Sequence, residues 1–247
     1  VFFAKDLKSF HGLMTASISP NHLAIPLYFL SNIRMAITAL TKVLFKCKHL
    51  LEIPYYSISP YRFGDEHTAV KYIMRPSAGT TVEHTGTKDF DHLKTSLKAT
   101  LAKHDVSYDF FIQFQDQPEQ MPIENCSIAW TSKEIKVATL RMLKQDFDTP
   151  ERRELGENLM FNPWNSLPEH RPLGGLNRGR KIMYETMSKF RLERNIKPAA
   201  EPASYPTFLT EPNSTLNTTK TTSNMTTPSA NLQVVQDLFK FYGQGNI

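Results

Sequence analysis

EIPYYSISPYRFG (52–64), followed through Asp65 by EHTAVKYIMRP (66–76), is the stretch whose reading decides the fold. Tyr, Ile, Phe and Val alternate with polar residues in both segments, the period-two pattern of strands that bury one face. Gly64 and Asp65 stand between them and read as a hairpin turn. The alternation returns in VSYDFFIQFQ (106–115) and IKVATLRML (135–143), joined by a Pro-containing connection over 116–124. Between these strand pairs, DFDHLKTSLKATLAKH (89–104) places Phe90, Leu93, Leu97 and Leu101 at helical spacing. That spacing predicts a helix of roughly four turns. Strands with helices inserted and appended, rather than strict β–α alternation, put the chain in the α+β class.

The chain has 247 residues, 40% of them hydrophobic and 11% aromatic, which is enough for a buried core. Such a length suits one large domain, or one domain with a tail. The formal net charge of +5 selects neither nucleic acid, lipid nor an anionic ligand by itself. Cys47 and Cys126 are too few for a disulfide framework or a cysteine metal site. A reducing, cytoplasmic compartment is the simpler reading. The opening VFFAKDLKSF lacks the basic leader and apolar run of a signal peptide, and the missing initiator Met is what a fragment would show.

HLAIPLYFLSNIRMAITALTKVLF (22–45) is about as long as a membrane span, but Pro26, Arg34 and Lys42 interrupt it. Ile33, Ile37, Leu40 and Leu44 recur with helical period, predicting a buried or amphipathic helix and no transmembrane segment. From 157 to 175 the chain is irregular, with three prolines. Asn177 then fits an N-cap for a helix over 178–195, with Met183, Met187 and Phe190 on its apolar side. The expected folded domain is 1–197. A disordered Thr/Ser/Pro-rich linker (198–230) and a short amphipathic segment (231–247) are expected to follow.

Few motifs carry chemistry. No H-E-x-x-H pair, phosphate-cradling glycine loop or G-x-S-x-G elbow occurs. The cations between Arg171 and Lys197 spread around a helical wheel, which fits a solvated helix better than a nucleic-acid surface. Arg180 and Tyr184, four residues apart, lie one above the other on a helix face. A guanidinium beside a phenol favours the phenolate. A phenolate is a hard anionic ligand for ferric iron, and tyrosine is the haem ligand of catalases. Alone, R-x-x-x-Y is too common to decide anything.

Its setting says more. ENLMFNPWNSLPEHRPLGGLNRGRKIMYETMSKFRLERN (157–195) resembles the C-terminal haem segment of the catalase family, in particular its small catalase-related branch. There an F-[DN]-P turn leads through a Pro-rich loop to the R-x-x-x-Y helix. VFFAKDLKSF is similar to the family's stretch along the distal haem face, and 55–76 and 108–115 resemble successive barrel strands. The likeness runs over 1–195.

This resemblance implies an antiparallel catalase-type β-barrel, of which about the C-terminal half is covered. It implies haem b as cofactor, with Tyr184 as iron ligand and Arg180 holding it as phenolate. Phe2 and Phe10 would line the distal face, and Arg191 would pair with a haem propionate. The implied activity is an oxidoreductase reaction on hydrogen peroxide or an organic hydroperoxide, and the family suggests a homo-oligomer. Ser188 stands where large catalases often carry a histidine, and Asn165 where the small branch often does. The family's distal histidine and asparagine fall before Val1, so peroxide activity is expected to be weak or absent without them. Two other functions stay open: a non-catalytic catalase-like binding or structural protein, and a haem enzyme acting on lipid hydroperoxides.

Overall fold

Gly64 turns the chain back as the spacing predicts, with a φ of 78° that favours glycine. The computed structural model describes residues 1–43, 47–86 and 90–195. Leu44 and the linker and tail segment expected over 198–247 lie outside the described residues. Three helices come first: α1 (Leu7–Ser17), α2 (Ala24–Ser31) and α3 (Ile33–Val43). Strands β1 (Tyr55–Tyr56), β2 (Tyr61–Phe63) and β3 (Asp65–Pro76) follow. Then come α4 (His92–Lys103), β4 (Val106–Phe114), β5 (Glu134–Met142), α5 (Pro150–Asn158) and α6 (Gly174–Arg194).

The sheet is antiparallel, in the order β1–β3–β4–β5, with β2 also paired to β3. Tyr55 faces Met74 and Tyr61 faces Val70, so β1 and β2 occupy successive stretches along one edge of β3. Among the described residues the sheet is therefore four strands wide. It is not closed into a barrel, since closure of this type takes about eight strands. A bulge between Phe110 and Phe111 shifts the β4–β5 register and bends the outer strand. The α+β class holds; the closed barrel is replaced by an open sheet.

Local chemistry explains most element boundaries. The Asp6 carboxylate caps α1 by accepting the Ser9 N–H at 2.8 Å and the Ser9 hydroxyl at 2.6 Å. Helix α4 packs Leu101 and Leu97 against Val106 and Tyr108, but it is a turn shorter than the spacing predicts. Phe90 precedes its first turn and is fully exposed. Helix α5 is capped by the Thr149 hydroxyl, which accepts the Arg152 N–H at 3.3 Å, with Pro150 at the first position.

Three sequence expectations are corrected. The apolar stretch over 22–45 is not one helix: α2 and α3 meet at Asn32 with their axes at 109°. Met35 is the only buried residue among the described side chains of α3, while Ile33, Ile37 and Leu40 are each more than half exposed. Asn177 does not cap a helix. Helix α6 begins at Gly174, and Asn177 lies inside its first turn, fully buried. Finally, Met183, Met187 and Phe190 point outward, whereas Leu176, Gly179 and Leu192 face inward. Helix α6 approaches α1 by its smallest residue, because a Cβ at Gly179 would sit 2.6 Å from the Leu7 side chain.

Candidate functional site

Between β1 and β2 the chain kinks at Ile58, whose φ of 68° is rare for a β-branched residue. The Ser59 N–H donates to the Ser57 carbonyl at 2.8 Å, closing a γ-turn. Strain of this kind, about 1–3 kcal/mol, persists where neighbouring bonds over-determine it. Here the Ser57 N–H donates to the Tyr72 carbonyl at 2.9 Å, and the Tyr72 N–H donates to the Ser57 hydroxyl at 3.1 Å. The kink delivers Ser59 and Pro60, both fully buried, to the start of α6.

Strand β2 then runs beside the loop that leads into α6. Tyr61 bridges Pro172, and the N–H groups of Arg62 and Gly64 donate to the carbonyls of Arg171 and Glu169 at 2.9 and 3.0 Å. The Leu173 N–H donates to the Pro60 carbonyl at 3.0 Å. Gly174, at φ 83°, lets the chain turn into the helix where a Cβ would meet the Ile123 carbonyl oxygen at 2.8 Å. Leu173 has no side chain to cap the helix. Glu124 does so from across the loop, accepting the Gly175 N–H at 2.7 Å and pairing with Arg178 at 3.2 Å.

Asn177 joins these parts. Its Oδ1 accepts from the Ser59 hydroxyl at 2.9 Å and from Arg180 Nη1 at 3.1 Å. Its Nδ2 donates to the Pro60 and Leu173 carbonyls at 3.1 and 2.9 Å. Trp164 Nε1 donates to the Asn177 carbonyl at 2.9 Å. Trp164 is itself placed by the F-N-P turn, in which Asn162 Oδ1 accepts the Trp164 N–H at 3.0 Å. Every polar atom of the Asn177 side chain is satisfied, so its rotamer is fixed.

Arg180 is thereby aimed. Its Nη2 donates to the Tyr184 hydroxyl at 3.2 Å, and its guanidinium carbon lies 5.2 Å from the centre of the Tyr184 ring. Burial works against the guanidinium charge, but the hydrogen bond with the Tyr184 hydroxyl and the charge interactions with Tyr61 and Tyr184 outweigh it and hold the Arg180 pKa above its ordinary value. Tyr184 is 36% exposed, with Met183 and Met187 open to solvent beside it.

The other residues singled out by sequence lie apart from this network. Phe2 and Phe10, with ring centres 5.7 Å apart, pack with Phe3 against Ala4, Leu13 and Met35 in the core of α1–α3. Arg191 Nη2 donates to the Leu159 carbonyl, tying α6 to the end of α5. Ser59 and Trp164 are site residues that sequence reasoning passes over, and Asn177 is one that it reads only as a helix cap. The only local signal is a buried-type amide in a glycine-flanked first turn, and it reads equally well as a cap.

Among the described residues, no group of three or more His, Cys, Asp or Glu side chains could hold a bare metal ion. An iron here would need its own ring of nitrogens and one protein oxygen. The Tyr184 hydroxyl suits that role: it is partly open, held by a cation, and bordered by apolar side chains that a flat macrocycle could cover. A cavity of about 150 Å³ lined by Tyr56, Lys71, Arg75, Gln113, Trp130 and Glu134 is too small for such a group. Organic-ligand pockets run from about 300 to 1,000 Å³.

No family model matches the sequence, and no curated protein matches it. Among solved structures, the fold is similar to catalase A from Saccharomyces cerevisiae, with a TM-score of 0.59 at 13% sequence identity. The match covers 78% of this chain and 44% of that enzyme, so the chain spans less than half the length of its structural neighbour. At that identity the likeness shows a shared fold.

Proposed function

We propose that this chain is a haem-binding, catalase-related protein in which Tyr184 is the iron ligand and Arg180 keeps its oxygen anionic. One observation carries the reading: the 3.2 Å hydrogen bond from Arg180 Nη2 to the Tyr184 hydroxyl, on a guanidinium that Asn177 already holds. The fold it shares with catalase A supports the reading. Ferric haem b would supply the redox chemistry that decomposes hydrogen peroxide or an organic hydroperoxide. The chain's own residues would set the ligand side. Arg180 stabilises negative charge on the phenol oxygen, and Asn177 and Ser59 keep Arg180 from swinging away. Phe2 and Phe10 would have to leave the α1–α3 core to meet a haem, and Arg191 would serve a propionate by exchanging the Leu159 carbonyl for a carboxylate.

The test is titration of the purified chain with ferric protoporphyrin. A charge-transfer band of tyrosinate-coordinated ferric haem is expected, and Tyr184→Phe should abolish it; its absence in the unaltered chain overturns the reading. Assays with hydrogen peroxide and a fatty-acid hydroperoxide then separate the two substrate classes. A second reading, a non-catalytic catalase-like binding protein, is favoured by the contact of Arg191 with Leu159. It is the outcome if the chain binds no haem but remains folded.

A further inference from the structure

Helices α1 to α3 turn a large apolar surface outward. Ile18, Leu23, Leu27 and Leu30 are 57–83% exposed, and on α3 Ile33, Ile37 and Leu40 are each 58–59% exposed. These last three follow one another at i, i+4 and i+7, an apolar stripe on one helix face. The same helices do have an inward side. Leu13 and Met35 are buried, with Tyr28 and Phe29 packed against them, and the Tyr28 hydroxyl donates to the Ser9 carbonyl at 2.7 Å. The outward residues are thus the second face of a segment already docked on its core, and such a surface marks an interaction site.

Charge identifies the partner. From Leu7 to Leu51 the sequence contains no Asp or Glu, but it has Lys8, Arg34, Lys42, Lys46 and Lys48. That segment alone carries +5, equal to the formal net charge of the entire chain. The chain's surplus positive charge is therefore concentrated where its apolar surface is exposed. Lys8, Arg34 and Lys48 are exposed. Two copies meeting through this face would bring like charges together, which disfavours a self-complementary dimer. A surface that is apolar with an anionic rim satisfies both features, and an anionic bilayer interface is such a surface. The geometry agrees with lying on a membrane rather than crossing it. No single described helix is long and apolar enough to span a bilayer; α2 and α3 reach that length and apolarity only together, and they are bent by 109° at their junction.

We propose that α2 and α3 form a monotopic docking surface for an anionic lipid bilayer. Ile33, Ile37 and Leu40 of α3, with Leu27 and Leu30 of α2, enter the acyl boundary, while the exposed Arg34 meets the headgroups. The assignment does not depend on haem. Combined with the proposed function, it would bring a peroxide-handling site to a source of acyl hydroperoxides.

The experiment is co-sedimentation of the full 247-residue chain with phosphatidylcholine vesicles, with and without phosphatidylserine. Binding to the phosphatidylserine vesicles is expected, weakening with added salt and falling on the order of tenfold or more in a Leu30→Glu/Ile37→Glu double variant. Arg34→Ala should weaken binding by a smaller factor. Both altered apolar side chains are more than half exposed, so circular dichroism and Tm should match the unaltered chain. Three results would overturn the proposal. They are failure to pellet with phosphatidylserine vesicles, pelleting that the double variant leaves unchanged, and self-association in solution that the same variant abolishes.

Discussion

Asn177 Oδ1 receives two hydrogen bonds at once, from the Ser59 hydroxyl at 2.9 Å and from Arg180 Nη1 at 3.1 Å. One amide oxygen therefore ties the kink between β1 and β2 to the guanidinium that faces Tyr184. The arrangement makes the Arg180–Tyr184 geometry a property of the sheet as well as of the helix.

Asn177→Ala should be among the more costly single substitutions on α6. It takes the acceptor from the buried Ser59 hydroxyl and from Arg180 Nη1, and it takes one donor each from the Leu173 carbonyl and from the Pro60 carbonyl, which keeps the Leu173 N–H. Each buried polar group left unpaired costs about 1–3 kcal/mol, so a loss of about 2–4 kcal/mol is expected in urea unfolding. Asn177→Asp keeps the acceptor but removes both Nδ2 donors and sets a carboxylate against two carbonyls. It should be no better than alanine, and a wild-type midpoint for either variant would refute the account.

Arg180→Ala tests the ligand side directly. Loss of a charge-assisted hydrogen bond, about 1.5–3 kcal/mol, corresponds to roughly ten- to hundredfold weaker ferric haem binding. Arg180→Lys retains the charge but lacks the fork that reaches both Asn177 and Tyr184, so it should fall between alanine and the native chain. Tyr184→Phe should lose the tyrosinate band outright. Equal haem affinity across all three variants would rule out the proposed role.

How much of this was legible in the sequence depends on how far apart the partners lie. The 52–76 hairpin is readable because its turn is a glycine at positive φ and its alternation is local. Arg180 and Tyr184 are readable because i and i+4 share a helix face. Asn177 is not, since its partners Ser59 and Pro60 lie 118 and 117 residues away. Helix α5 carries the local signal Thr149-Pro150-Glu151, but its face has so few apolar residues that periodicity passes over it. The apolar stripes of α3 and α6 are real yet point outward. A periodic pattern shows that a helix has an apolar side, not what covers it, and α6 turns Gly179 inward because only there can α1 come close.

Two glycines at similar φ should answer differently to alanine. Gly64, at 78°, has nothing within 4 Å of a built Cβ. Gly64→Ala therefore meets only the left-handed backbone penalty, about 1–2 kcal/mol. Gly174, at 83°, has the Ile123 carbonyl oxygen 2.8 Å from that Cβ. Gly174→Ala adds a backbone clash to the same penalty and should shift the first turn of α6. Its loss in Tm should clearly exceed that of Gly64→Ala, and its haem titration should be affected where that of Gly64→Ala is not.

Acid should loosen the link that Asp148 makes between α4 and α5. Asp148 takes a 2.7 Å bond from Arg153 Nε of α5 and sits 3.2 and 3.5 Å from Lys94 and Lys98 of α4. The hydrogen bond from Arg153, then that from Lys94, holds its carboxyl well below the usual carboxylate range. Because the folded value is depressed, the unfolded chain takes up the proton first, at about pH 3.9. The contribution is complete above that pH and is lost as the pH falls toward the folded value. Asp105 and Asp109 are depressed in the same direction, the first chiefly by the Lys144 N–H and the second by Lys136. The acid limb is therefore shared. Asp148→Asn should lower Tm at pH 7 and flatten its decline between about pH 4 and pH 2 without removing it. Added salt should narrow the difference between the two proteins, because Lys94 and Lys98 are about half exposed. Parallel acid limbs for the variant and the native chain would show that Asp148 gains nothing from its cations on folding.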